Sequence, residues 1–141
     1  MKDYIRKIYY YETDKMGVTH HSNYIRLMEE ARVDLLEQIG CPYERMEQEG
    51  VGSPVIGVEC QYKRPTTFGD ELRIHAEIAE YKRLKLTVTY IGYNNRTQEV
   101  VFTGKSVHCF VNAAGQPIFL ARQLPEYDAM LKSSVSDHEN P

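Results

Sequence analysis

The segment Thr13-Asp14-Lys15-Met16-Gly17-Val18-Thr19-His20-His21-Ser22-Asn23-Tyr24 sets a carboxylate seven residues ahead of a histidine, with a glycine between them and an amphipathic stretch behind. A helix that begins at Ser22 offers N–H groups with no intrahelical acceptor, at the positive end of the helix dipole. A carboxylate in the loop leading to such donors is equipped to attack, or to activate water against, a carbonyl whose oxygen turns negative. Asp14 is therefore the candidate base or nucleophile. His21 is the candidate group that orients Asp14 or a water. The competing role for Asp14 is structural, a loop carboxylate paired with the helix start and worth about 0.3–1 kcal/mol. The adjacent His20 and His21 also suggest a metal. The chain has no H-x-x-x-H and no Cys/His cluster beside them, so no metal is expected, and His20 faces either solvent or the pocket.

These residues need elements to position them. Residues 4–11 are rich in tyrosine and isoleucine and read as a strand. From Ser22 to Ile39 the period becomes helical: Tyr24, Leu27, Met28, Ala31, Leu35 and Ile39 form one apolar stripe, with Arg26, Glu29, Glu30, Asp34 and Glu37 mostly off it. Ser22 is placed to cap this helix, and Gly40 and Pro42 to end it. Residues 43–49 suit a short second helix. Strands are expected at Val55–Tyr62, Leu72–Ile78, Leu84–Tyr90 and Val100–Val111, with turns at Asn94-Asn95-Arg96 and Ala113-Ala114-Gly115. Leu124–Leu131 suits a last helical turn or two. A single domain over residues 1–132 and a frayed polar tail over 133–141 follow. One long helix followed by closely spaced strands predicts an α+β arrangement, an antiparallel meander packed on one helix.

Composition narrows the function. A chain of 141 residues, 42% hydrophobic and 26% charged, suits one globular domain. A net charge of −3 and an isoelectric point near 6.0 speak against nucleic-acid binding. No apolar run is long enough for membrane insertion, and Met1-Lys2-Asp3-Tyr4 does not resemble a signal peptide. The three cysteines, Cys41, Cys60 and Cys109, lack metal or redox spacing. Free thiols in a reducing, cytoplasmic setting are expected.

The stretch from Tyr10 to Tyr24 resembles the signature of hotdog-fold acyl-CoA thioesterases of the 4-hydroxybenzoyl-CoA thioesterase type, including the Tol–Pal-associated branch. The resemblance continues in Glu30-Ala31-Arg32, in Tyr62-x-x-Pro65 followed by Gly69-Asp70-x-Leu72, and in His108-x-Phe110-Val111. It spans roughly residues 4–120. It implies a curved antiparallel sheet wrapped on the long helix, and hydrolysis of an acyl-CoA thioester to a carboxylic acid and CoA. It places the catalytic aspartate at Asp14 and a carbonyl-polarising backbone N–H at His21. One branch also uses the histidine side chain there; another carries tyrosine. His20 stands where the histidine branch often has tyrosine. Some branches place the carboxylate on the helix, but here Glu29 and Glu30 are expected as solvated charges or interface partners.

On this resemblance Gly17 and Val18 belong to the substrate site. Tyr10 either hydrogen-bonds Asp14, lines the pocket or packs in the sheet. Lys82, Arg83 and Lys85 are either a solvated hairpin tip or the cations that meet the CoA phosphates. His75 and His108 lie inside strands and read as packing or hydrogen-bonded residues; His138 is in the tail. No cofactor is expected, because CoA is part of the substrate. A homodimer or homotetramer with active sites at the subunit interface is expected. The alternatives are a hotdog hydratase or dehydratase and a non-catalytic acyl-CoA binding module. Asp14 and Gly17 argue against the binding module.

Overall fold

The structure, a computed structural model, describes residues 1–136. Five strands form one antiparallel sheet: β1 (Tyr4–Lys7), β2 (Val55–Tyr62), β3 (Glu71–Lys82), β4 (Lys85–Asn94) and β5 (Val100–Cys109), in the order β1-β3-β4-β5-β2. The long helix α1 (Ser22–Gln38) packs on one face, contacting β1, β2 and β3. α2 (Tyr43–Gln48), α3 (Leu120–Gln123) and α4 (Pro125–Ser133) complete the core. This is the α+β arrangement expected from the sequence.

α1 forms where its apolar stripe demands. Tyr24, Leu27, Met28, Ala31 and Leu35 are buried, and Leu36 joins them. Gly40 ends it in the left-handed region, φ +86°. In β4, Leu86, Val88 and Tyr90 are buried on the helix side and alternate with half-exposed residues. Two glycines make room for close packing, Gly92 between neighbouring strands and Gly104 between the sheet and α1. A Cβ at Gly92 would lie 2.1 Å from the Phe102 ring, and one at Gly104 would lie 2.8 Å from Met28 Cε and Sδ.

Several boundaries differ from expectation, each for a local reason. The strand expected over residues 4–11 stops at Lys7, and Tyr10–Glu12 form a 3-10 turn. The turn forms because the buried Glu12 carboxylate accepts the Tyr9 N–H at 2.7 Å and pairs with Arg6 at 2.5 Å. Glu12 Oε1 holds both, so the chain folds back instead of running on. Ser22 does not cap α1: its hydroxyl bonds His20 Nδ1, which also accepts the Ser22 N–H. β3 continues past Ile78 to Lys82 through an irregularity between Ile78 and Glu80 that shifts the register. Leu84 falls in the β3–β4 turn, and β4 runs on to Asn94. The polar tail expected from Ser133 starts inside α4. Val135 pairs in parallel with Ile78, and Ser136 N–H donates to the Ile78 carbonyl at 2.8 Å. Residues 137–141, with His138, lie outside the described residues.

Candidate active site

Asp14 opens a tight turn. Gly17 N–H donates to the Asp14 carbonyl at 2.9 Å, and Asp14 N–H donates to the Val18 carbonyl at 2.8 Å. Gly17 takes φ +81°, the conformation that closes such a turn and that side chains other than glycine resist. The half-buried Asp14 carboxylate accepts Met16 N–H at 2.8 Å through Oδ1. The turn is braced from outside: Val18 bridges Thr67, and Thr67 Oγ1 donates to the Gly17 carbonyl at 2.7 Å.

The turn is tied to the helix through Glu12. The Glu12 carbonyl accepts His20 N–H at 2.8 Å and Asn23 Nδ2 at 2.9 Å. Burial pushes the Glu12 carboxyl up. The Arg6 hydrogen bond, the Tyr9 N–H and the nearby arginine charges outweigh this, so its pKa is lowered overall. Glu12 is a residue the sequence reading passed over.

At the helix start, Asn23 N–H reaches the His20 carbonyl, Tyr24 N–H reaches the His21 carbonyl, and Ser22 N–H is taken by His20 Nδ1. The His21 N–H has no protein acceptor among the described residues. It is the open donor at the positive end of α1. The exposed His21 ring stacks on His20, centroids 4.3 Å apart, and meets Tyr62 edge-on at 6.0 Å. Around it lies a cleft of about 260 Å³ lined by Thr19, His21, Tyr24, Tyr62, Lys63, Arg64 and Pro65. Its wall is held by Thr66, whose hydroxyl hydrogen-bonds Thr19 at 2.7 Å and Tyr24 at 2.8 Å. A loop carboxylate, a free helix N-terminal N–H and an adjoining cleft are the parts needed for carbonyl chemistry.

The profile of the thioesterase-like superfamily matches residues 10–135. The chain belongs to the thioesterase-like superfamily. It has the hotdog fold of that superfamily. The DHNA-CoA thioesterase of Staphylococcus aureus superposes with a TM-score of 0.90 at 28% identity, over 94% of this chain and 89% of that one. A Bacillus subtilis protein, provisionally named as the acyl-CoA thioesterase YneP, is 31% identical over 86% of this chain and 88% of its own length. The Escherichia coli acyl-CoA thioester hydrolase YbgC is 29% identical over 59% of this chain and 62% of its own.

Other residues singled out in this thioesterase-like chain fall into different places. Val18 is half-buried beside Asp14. Tyr10 is 74% exposed; its ring meets Phe68 edge-on, and it makes no side-chain hydrogen bond to Asp14 among the described residues. Glu30 is not a solvated charge: it accepts Tyr4 OH at 2.7 Å and pairs with Arg6 at 3.1 Å. Lys82 and Lys85 pair across the β3–β4 hairpin, with Arg83 in its turn at φ +52°. Within one chain this hairpin does not join Asp14. β3 starts beside the Asp14 loop, and its far end is roughly 35 Å away at about 3.3 Å per residue. The cations beside His21 are instead Lys63 and Arg64. They could be found in the sequence as the pair inside Tyr62-Lys63-Arg64-Pro65, which the motif reading treated as a strand end.

Proposed function

We propose that this chain is an acyl-CoA thioesterase: acyl thioester and water give a carboxylic acid and the CoA thiol. The observation that carries the reading is the open His21 N–H at the start of α1, on a residue that lines a cleft, with the Asp14 turn leading into that helix start. The names borne by the superfamily relatives support it. In this mechanism the His21 N–H, with the helix dipole behind it, takes the charge that develops on the thioester oxygen. Asp14 either draws a proton from the attacking water or attacks the carbonyl itself, giving an anhydride that water then opens. In both routes the thiolate leaves and the water proton ends on it. Mixing the protein with a panel of acyl-CoAs and following free thiol tests the reading. Thiol release on at least one of them is expected. Tight binding with no release from any would make the chain a binding module.

The site is completed by a second copy. β2 lies at the sheet edge and exposes Val55, Ile56, Val58 and Tyr62, an apolar edge of the kind that proteins pair or cover. Antiparallel pairing of β2 with the same strand of a second subunit sets Tyr62 beside the partner's Val55. That carries the partner's β3–β4 hairpin to the side of the sheet where Asp14 and His21 lie, within a few strand spacings of about 4.8 Å each. Lys82, Arg83 and Lys85 then meet the phosphates of a CoA bound at the other subunit's Asp14. Light scattering should give at least twice 16.4 kDa. Replacing Lys82 and Arg83 together by alanine should raise KM for every acyl-CoA by a similar factor, more so at low salt, with kcat nearly unchanged. Hydrolysis of a short thioester without the nucleotide should not change. An equal loss there would assign the hairpin to the fold instead.

A further inference from the structure

Arg32 is a charged side chain on α1 that is only 2% exposed. Its nearest carboxylate, Glu29, is 3.8 Å away and largely in solvent, and its Nη1 has no hydrogen-bond partner among the described residues. His108, 1% exposed, leaves Nδ1 equally unpartnered. Both residues line a cavity of about 60 Å³ whose other walls are Ile25, Met28, Glu29, Val55, Val58, Tyr90 and Ser106. A buried cation with an idle donor is costly unless an anion meets it.

Counting protons fixes what His108 offers. Tyr90 OH and Ser106 Oγ are 2.7 Å apart, and Ser106 Oγ and His108 Nε2 are 2.7 Å apart. Every hydroxyl finds an acceptor in only one direction: Tyr90 O–H to Ser106, Ser106 O–H to Nε2, and the imidazole proton on Nδ1. Burial, with the Arg32 charge beside it, pushes the His108 pKa down to about 3, so the ring is neutral and carries that single proton. Arg32 Nη1 and His108 Nδ1 are then two idle donors on residues that line one small cavity, with one fixed positive charge between them.

The cavity lies along the same helix as the cleft at His21, and the two share no lining residue. His21, Ile25, Met28 and Arg32 recur at the spacing that keeps side chains on one face of a helix. Opposite them on β2 run Tyr62 at the cleft and then Val58 and Val55 at the cavity. Both hollows lie between α1 and β2, and Ile25, Met28 and Val58 are the apolar residues that an acyl chain reaching from one to the other would meet. His21 and Arg32 are about 16 Å apart along the axis at ~1.5 Å per residue, and the Arg32 side chain, leaning back one turn toward Glu29, shortens the span an acyl chain must cross to about 10 Å.

We infer that Arg32 and His108 form a terminus for the acyl group that selects an acyl chain ending in a carboxylate, the mono-CoA thioester of a dicarboxylic acid. This rests on the thioesterase reading for its chemistry, while the recognition itself is read by binding. The thioester lies at His21, the methylenes run between Ile25, Met28 and Val58, and the distal carboxylate accepts from Arg32 Nη1 and His108 Nδ1.

The test compares acyl-CoAs of equal length that end in carboxylate or methyl, adipoyl-CoA against hexanoyl-CoA and suberoyl-CoA against octanoyl-CoA. The wild-type protein should favour the better-fitting carboxylate-ended member by about tenfold or more in kcat/KM, the scale of a hydrogen bond to a charged group. Arg32→Met should remove or invert that preference while keeping or improving turnover of the methyl-ended partner. Arg32→Lys should retain part of it. Non-hydrolysable thioether analogues of the same pairs, titrated into the wild-type protein, read the preference without turnover. A tighter carboxylate-ended thioether with no thiol release from any thioester sinks the thioesterase reading and upholds this one. A wild-type protein that treats both ends alike, as when a second subunit's carboxylate already fills the cavity, overturns the inference. So does an Arg32→Met protein with the wild-type ratio. If Arg32→Met does not fold, the wild-type ratio and Arg32→Lys decide.

Discussion

Asp14→Asn should lower thiol release by a hundredfold or more while leaving the melting temperature close to wild type. The carboxylate is the one acidic group in the turn Asp14–Gly17 that leads toward the helix start. Asparagine keeps its shape but neither accepts a proton nor attacks a carbonyl, and loss of a general base costs about a hundred- to ten-thousandfold. The fold should survive, because the substituted amide can still accept Met16 N–H through its oxygen, and the turn's backbone bonds to Val18 and Gly17 are untouched. His21→Ala should cost less, since the donor invoked is a main-chain N–H that alanine also supplies. An Asp14→Asn protein with near wild-type turnover on its best substrate would remove Asp14 from the mechanism.

Glu12→Ala should be the most damaging single change to stability outside the apolar core. Its side chain is 4% exposed, holds Arg6 at 2.5 Å, and caps Tyr9 N–H. Breaking a buried ion pair from one side costs about 3–5 kcal/mol. Arg6 keeps Glu30 as a second partner, which places the loss near the lower figure. For a chain of this size that corresponds to a fall of roughly 10 °C in melting temperature. A fall of less than about 2 °C in a calorimetric scan would refute the assignment. Acid should close the gap between the two proteins. A carboxyl whose folded pKa is lowered contributes its stability above its ordinary value of 4.5 and loses it as pH falls through the folded value. The advantage of the wild-type protein should therefore be full near neutrality and shrink below about pH 4.5.

The parts of the fold that repeat were legible in the sequence. The stripe from Tyr24 to Leu35 and the alternation from Leu86 to Tyr90 announce which face is buried, because burial of apolar area sets those positions. Asp14 with Gly17 behind it reads as a loop, which the structure closes into a tight turn. Three features were hidden because they depend on particular side-chain partners or on element lengths that composition and periodicity do not report. Tyr9 to Tyr11 has the composition of a strand, and only the buried Glu12–Arg6 contact bends it. Arg32 enters the sequence reading only within Glu30-Ala31-Arg32, and the periodicity of α1 does not mark it as buried. Its burial follows from Tyr43 on one side and the β2–β5 edge on the other. Lys82, Arg83 and Lys85 are obvious as a charge run. Their distance from Asp14 depends on the length of β3 and on which end of it the Asp14 loop joins.

The unbroken course of α1 from Ser22 to Gln38 has a consequence for how acyl preference can change. If Arg32 ends the acyl site that begins at His21, the spacing between them is set by backbone hydrogen bonds of one helix and not by an adjustable loop. Inserting or deleting a single residue between them would shift Arg32 by only about 1.5 Å, yet swing it about 100° around the axis and off the β2 side. Such a helix is a ruler graduated in whole turns. Preference for a longer or shorter chain is then reached by moving the cation to another position on the same face, such as Met28, and not by stretching the site that exists.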